Sequence, residues 1–244
     1  MPDTWLARGR AAAGRVTDYV ELRTLLVILL LAACAWIFVS VADEVVEGET
    51  QTLDTTLLLA LRDPADPIDP LGPAWIEELG RDVTALGSVG ILTGLTLAAS
   101  GFLWLQGERR TMLFVLVAVG GGQLLSTLAK SAFDRPRPDL VPHEAVVYTA
   151  SFPSGHSMMA AVTYLTLAVL LARVQPRRAL KVYLVVLAVI ITVAVGVSRV
   201  YLGVHWPTDV LAGWTAGAAW ALLCWLVAHW LGARGAIEPD RDGG

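Results

Sequence analysis

Charge is scarce in this chain. Asp, Glu, Lys and Arg make up 16% of its 244 residues, against 55% hydrophobic. That balance excludes a disordered chain and fits a membrane protein better than an ordinary water-soluble domain. A basic excess is missing too. The formal net charge is −4, so the electrostatic footprint of a nucleic-acid binder is absent. Cysteine is nearly lacking: Cys34 and Cys224 both stand in apolar stretches. Two isolated thiols give neither a disulfide framework nor a metal spacing, and both are expected as small residues packed in helices. No Asp, Glu and His set has the donors of a divalent-metal site. The chemistry is therefore expected to be metal-independent, with no cofactor. No internal repeat is visible.

What the chain has is long apolar runs. A membrane-spanning helix needs about 20 mostly apolar residues, and six runs qualify, at roughly 24–42, 83–106, 111–130, 156–174, 180–198 and 209–231. The expected fold is all-α, a polytopic membrane protein with about six transmembrane helices in one bundle. A tail over 1–23 precedes the membrane domain (24–231), and a second tail follows over 232–244. Two connections are long. Residues 43–82 are acidic and proline-rich, with Asp63, Pro64, Asp66, Pro67, Asp69 and Pro70, and 131–155 carry Pro136, Pro138, Pro142 and Pro153. The short remaining connections favour antiparallel neighbours.

Orientation follows from the basic residues. With the N-terminus inside, the cytoplasmic segments hold Arg8, Arg10, Arg15, Arg23, Arg109, Arg110, Arg173, Arg177, Arg178, Lys181, Arg234 and Arg241. The outer side holds Arg62, Arg81, Lys130, Arg135, Arg137 and Arg199. Both termini are thus expected in the cytoplasm of a cell that carries the protein in its inner (plasma) membrane. Ser40-Val41-Ala42 follows the first apolar run in a small-x-small pattern, which also fits a signal-peptidase site. The long basic segment before it favours an uncleaved anchor.

Ionisable residues gather at helix ends on the outer side, where charge is costly and usually functional. Three clusters stand out. In the first, Lys130 closes the third run, and Pro136 and Pro138 hold Arg137 in extended backbone. A stiffened guanidinium offers paired donors to phosphate, and Lys130 adds a point charge. Alone, this segment equally fits cations snorkelling to the headgroups. In the second, Phe152-Pro153-Ser154-Gly155-His156-Ser157, Ser154 is placed to cap the fourth helix. Gly155 permits close approach to the backbone, and the first helical amides face an anion site. His156 stands beside it, as an acid–base group or as an interfacial one. In the third, Ser198-Arg199 precedes His205-Trp206-Pro207-Thr208-Asp209. Pro207 suits the first turn of the last helix. His205 and Asp209 then form either a carboxylate–imidazole couple or a cap with an interfacial ion pair. Together the clusters offer two histidines, one carboxylate, several cations and two helix N-termini to a phosphoryl group. Cations and amides would stabilise its oxygens, one histidine would attack in line, and the other would protonate the leaving oxygen.

Lys130-x6-Arg137-Pro138, Pro153-Ser154-Gly155-His156 and Ser198-Arg199-x5-His205-x3-Asp209 resemble, in order, the three-part signature of the type 2 phosphatidic acid phosphatase (PAP2) superfamily. The signature spans 130–209. The resemblance implies a phosphatase with His205 as nucleophile, Asp209 orienting it, and His156 as general acid and then base. It implies phosphate binding by Lys130, Arg137, Arg199, Ser154 and the Gly155 amide. Arg135 is an extra cation on the same side of an extended chain, and the signature alone chooses Arg137. Six apolar runs argue against the soluble haloperoxidase branch. The expected substrate is a lipid phosphate or diphosphate, undecaprenyl diphosphate leading, with phosphatidate and phosphatidylglycerophosphate as alternatives. A non-catalytic phosphate-lipid binder or transporter is the reading from a different class.

Other features read as structural. His229 lies at the opposite end. Trp75, Trp104, Trp206 and Trp230 stand near helix ends as in an aromatic belt. Gly213-x3-Gly217 marks close packing, within the chain or across a homodimer. Asp63, Asp66 and Asp69 read as a solvated loop. Part of 51–80 is expected as a short interfacial helix, with Trp75, Ile76 and Leu79 as its apolar contacts.

Overall fold

A computed structural model describes residues 3–139, 150–173 and 175–236, with side chains from residue 22 onward. Among the described residues every regular element is a helix, and one isolated bridge joins Arg62 and Pro70. The order is α1 (Asp3–Glu47), α2 (Gln51–Leu59), α3 (Ala74–Ala85), α4 (Val89–Leu105), α5 (Arg109–Ala132), α6 (Gly155–Ala160), a π-helical turn (Ala161–Leu165), α7 (Thr166–Arg173), α8 (Arg178–Tyr201) and α9 (Pro207–Ala233). The stretch from α6 through α7 is one continuous helix, Gly155–Arg173. Five helices are long and apolar enough to cross a bilayer, and α3 with α4 makes a sixth if that bent pair counts as one span. The protein is a multi-pass membrane protein. Its outer faces are apolar: Leu25, Leu29, Val117, Leu128 and Ile190 are all exposed. Such faces suit lipid, where helices satisfy their own backbone groups.

The second expected span, 83–106, is broken. α3 ends at Ala85, α4 begins at Val89, and the two axes differ by 51°. Gly87 sits in the break. A Cβ there would lie 2.6 Å from Val195 Cγ1 and 3.2 Å from His156 Cβ, so the chain passes between two helices where only hydrogen fits. Ser88 then starts α4, its hydroxyl accepting from the Ile91 amide at 3.4 Å. Two short helices stand where one is expected within 51–80: α2 lies wholly inside that range, and α3 starts in it but runs on to Ala85. Ile76 and the exposed Leu79 line an apolar groove of about 610 Å³ against α8, and Trp75, also exposed, does not line it. The loop between α2 and α3 is pinned to the end of α8. Arg62 donates to Tyr201 O at 3.0 Å and to Ile68 O at 3.2 Å, and Tyr201 Oη donates to Leu71 O at 3.1 Å.

Helix Gly155–Arg173 is central, with about two thirds of its apolar window buried. α9 approaches it through glycine. A Cβ on Gly213 would stand 2.7 Å from Ser154 O, and one on Gly217 would stand 2.6 Å from Ala161 Cβ and Met158 O. The glycine pair therefore serves packing inside one chain, and it presses the start of α6 against the start of α9. α1 runs along α9. Phe38 stacks on Phe152 at 6.1 Å and Phe133 meets it edge-on at 4.7 Å, which seats the segment before α6 against α1. His229 stacks on Trp225 at 5.2 Å, well along α9 from its site-bearing start.

Gly217→Ala should therefore destabilise by about 1–3 kcal/mol through overpacking. Gly94→Ala, whose Cβ would meet nothing within 4 Å, should leave stability unchanged or slightly raised. Thermal unfolding of the two variants in detergent checks the difference; equal midpoints would refute the packing role.

Candidate active site

The three clusters converge where α5 ends and where α6 and α9 begin. Pro207 occupies the first turn of α9, and Asp209 follows in the same turn. Asp209 Oδ2 accepts the Trp206 amide at 3.0 Å, one half of a capping box. The same oxygen faces His205 Nδ1 at 3.4 Å. Both side chains are buried, His205 at 1% and Asp209 at 0% exposure. On the other edge of the ring, Arg137 Nη1 lies 3.3 Å from Nε2 and also donates to Val204 O at 3.1 Å. A guanidinium only donates. Nε2 facing it is therefore the acceptor, and Nδ1 carries the proton toward the carboxylate. Burial pushes the His205 imidazole down to about 3, against the opposing pull of Asp209, so the ring is neutral near pH 7. Burial also lowers Arg137 from its usual range.

Ser151 completes this couple. Its hydroxyl donates to Asp209 Oδ2 and lies 3.3 Å from His205 Nδ1. With its own proton spent on the carboxylate, its oxygen is left to accept from Nδ1–H. Nothing in the sequence singled Ser151 out, because its role depends on a fold that lays 150–154 across α9. Two bonds fix that path: Ser151 N donates to Arg135 O at 2.8 Å and Ser154 N donates to Asp209 O at 2.9 Å. Trp206 is a second correction. It is buried, not part of an interfacial belt, and its Nε1 donates to Pro136 O at 3.0 Å. That bond ties the extended 135–138 segment to the start of α9. Trp75, Trp104 and Trp230 are exposed at more than half their surface.

The remaining cations surround the same place. Arg199 lies inside the last turn of α8 rather than beyond it. Its Nη1 donates to Thr84 Oγ1 at 3.1 Å, and its buried Nε has no hydrogen-bond partner among the described residues. Lys130 folds over Gly155: a Cβ there would meet Lys130 Cε at 2.9 Å and Nζ at 3.4 Å. Ser154 caps α6, its Oγ accepting from the Ser157 amide at 3.5 Å and from Ser157 Oγ at 2.9 Å. Lys130, Arg137, Arg199 and His156 all lie within electrostatic range of one another. His156, Lys130 and Gly155 line a cavity of about 620 Å³ that opens between α4 and α5, where Val89, Gln123 and Thr127 form its walls. Arg135, in contrast, turns away from the other cations and onto Asp209.

The geometry offers a neutral imidazole nitrogen amid three cations, an unsatisfied guanidinium donor and a second histidine on an open cavity. Such a site can hold a phosphoryl group and transfer it. The sequence profile of the PAP2 superfamily matches residues 111–233. The chain belongs to the PAP2 superfamily. Like its relatives, this PAP2 protein is a phosphatase embedded in a membrane. It is 37% identical over 148 residues to phosphatidylglycerophosphatase B of Bacillus subtilis, covering 59% of this chain and 70% of that one. It is 28% identical over 193 residues to lipid A 1-phosphatase of Rhizobium etli, covering 69% and 78%. It is 43% identical over 68 residues to undecaprenyl-diphosphatase of Sulfolobus acidocaldarius, covering 28% and 29%. The crystal structure of a transmembrane PAP2 type phosphatidylglycerolphosphate phosphatase from Bacillus subtilis superposes with a TM-score of 0.67 at 28% identity. That match covers 84% of this chain and 96% of the other.

Ser151→Ala should lower kcat roughly tenfold, the effect of about 1.4 kcal/mol on the barrier, while leaving the fold intact. Steady-state kinetics beside a melting curve read both, and an unchanged kcat would remove Ser151 from the machinery.

Proposed function

We propose that this protein hydrolyses a lipid phosphate through a phosphohistidine formed on His205. The observation that carries this reading is the His205 ring itself: Nδ1 is held against Asp209, and Nε2 is the acceptor that faces Arg137. An incoming phosphoryl group competes for Arg137 and draws it off Nε2. Arg199 Nε, buried and without an acceptor among the described residues, gains one in a phosphate oxygen. Lys130, the Ser154 hydroxyl and the Gly155 amide complete the cradle, with α6 presenting its N-terminal end.

In the first step Nε2 attacks phosphorus in line, and the bond from phosphorus to the lipid oxygen breaks. His156 gives its proton to that oxygen. Asp209 stabilises the positive charge that develops on the His205 ring. In the second step His156 takes a proton from water. The water oxygen attacks phosphorus, the P–N bond breaks, and orthophosphate leaves. The cavity at His156 receives the leaving lipid oxygen, because in-line attack puts the leaving group opposite the nucleophile. A non-catalytic binder needs no oriented imidazole, so the His205–Asp209 couple weighs against that reading.

Among lipids, the relatives favour phosphatidylglycerophosphate over undecaprenyl diphosphate, the substrate first expected from sequence. The 37% identical relative and the superposed crystal structure carry phosphatidylglycerophosphate phosphatase names, while the lipid A 1-phosphatase match is longer but only 28% identical. The undecaprenyl-diphosphatase match is confined to 68 residues. The basic-residue distribution supports an inner-membrane protein with both termini cytoplasmic and the site outside. Ala65→Cys, in the exposed loop between α2 and α3, should then react with a membrane-impermeant maleimide in intact cells; labelling only after lysis would invert the orientation.

Purified protein in detergent with EDTA should release phosphate from phosphatidylglycerophosphate, and His205→Ala should not. Wild type should also trap an acid-labile phosphoprotein that His205→Ala lacks. Absence of that species in an active wild type would exclude the covalent route. Asp209→Asn should lower kcat by at least a hundredfold, with KM nearly unchanged, because orienting the nucleophile matters most in the transition state. Equal losses in both constants would remove the orienting role.

A further inference from the structure

Arg135 joins two buried carboxylates. Its Nη1 donates to Asp209 Oδ1 at 2.7 Å and to Thr208 Oγ1 at 2.8 Å. Its Nη2 donates to Asp54 Oδ2 at 2.6 Å and to Thr50 Oγ1 at 3.1 Å. The side chains of Asp54 and Asp209 are fully buried, and Arg135 is 9% exposed. Trp206 covers the guanidinium, with its ring 5.8 Å from Cζ. Asp54 belongs to α2, outside the stretch that matches the superfamily profile. It also reaches into the first turn of α9: Oδ1 accepts the Thr208 amide at 2.9 Å and Oδ2 accepts Thr208 Oγ1 at 2.6 Å. A carboxylate from another helix thus serves an amide that α9 cannot satisfy itself.

The charges explain why two carboxylates are present. Asp209 helps His205 only if the group beneath the ring is negative when Nε2 becomes bonded to phosphorus. Arg135 fixes Oδ1, which leaves Oδ2 directed at Nδ1, but a lone Arg135–Asp209 pair is neutral. Asp54 restores one net negative charge to the buried cluster. At low effective dielectric that difference is felt over the few ångströms to the imidazole. We infer that Asp54 is a positioning residue for catalysis, acting through Arg135 to fix the Asp209 carboxylate and to keep the site beneath His205 net negative. The inference rests on the reading of His205 as the nucleophile.

Simple structural glue is the competing account, and buried ionic triads are often dispensable for stability. Kinetics separates the two. Asp54→Asn keeps the shape and an acceptor for the Thr208 amide. It should lower kcat about ten- to a hundredfold, with KM within about twofold of wild type. In an Asp209→Asn background the same change should cost less than about threefold, because its route to His205 is already cut. Arg135→Lys, which cannot bridge both carboxylates in the guanidinium's geometry, should resemble Asp54→Asn. If Asp54→Asn does not fold, folded Arg135→Lys carries the test. Wild-type kcat in either folded variant overturns the inference. So does a loss confined to KM, or a loss in full on top of Asp209→Asn. A wild type that traps no phosphohistidine defeats the nucleophile reading itself, which is a separate result.

Discussion

The Asp209 carboxylate receives donors on both of its oxygens, and the site is arranged around them. Oδ2 takes the Ser151 hydroxyl and the Trp206 amide and faces His205 Nδ1, while Oδ1 takes Arg135. A buried carboxylate without such partners would cost several kcal/mol or lose its charge. Each donor comes from a different piece of chain: the segment before α6, the cap of α9, the extended segment after α5. Satisfying one oxygen pair therefore brings together the segment before α6, the start of α9 and the chain that follows α5. The carboxylate's own backbone carbonyl adds a further tie, to Ser154 N.

The membrane setting makes this concentration of polarity possible. Apolar side chains cover the outside of the bundle, so the interior need not be greasy to hold the helices together. Small residues take over the packing. Gly213 and Gly217 let α9 lie against the helix that begins at Gly155, and Gly87 lets the chain turn between α8 and His156. These contacts set the relative height of the two helix starts. Their amides and capping side chains consequently face one place, and the three cations reach it from α5, from the extended 136–138 segment and from α8. The apolar exterior and the polar centre are two results of one constraint: charge is tolerated at the bilayer level only where protein encloses it.

The legible and illegible parts of the site differ in kind. Lys130, Arg137, Ser154, Gly155, His156, Arg199, His205 and Asp209 stand in dense local patterns beside proline and glycine, and the structure brings them to one end of the bundle. Ser151, Asp54 and Trp206 do not. Ser151 is one serine among several in its segment. Asp54 lies in the acidic 43–82 connection without a motif to mark it, yet α2 places it in the core against Arg135. Trp206 has the address of a belt residue, and its buried hydrogen bond to Pro136 O becomes visible only in three dimensions. The two cations Arg135 and Arg137 show the limit most directly. Extended backbone puts them on one side, and sequence offers no reason for one to take the carboxylates and the other the imidazole.

The class of the molecule and the candidate residues of its site were legible from residue order alone. Runs of about 20 apolar residues can satisfy their backbone in lipid only as helices, and proline and glycine at fixed offsets mark where those helices begin and end. Tertiary structure decided the break at Gly87, the tautomer of His205, the division of labour between Arg135 and Arg137, and the burial of Asp54. Each depends on which groups from distant segments meet at hydrogen-bond distance. Local patterns record where a helix starts; they hold no record of what another helix brings to that start.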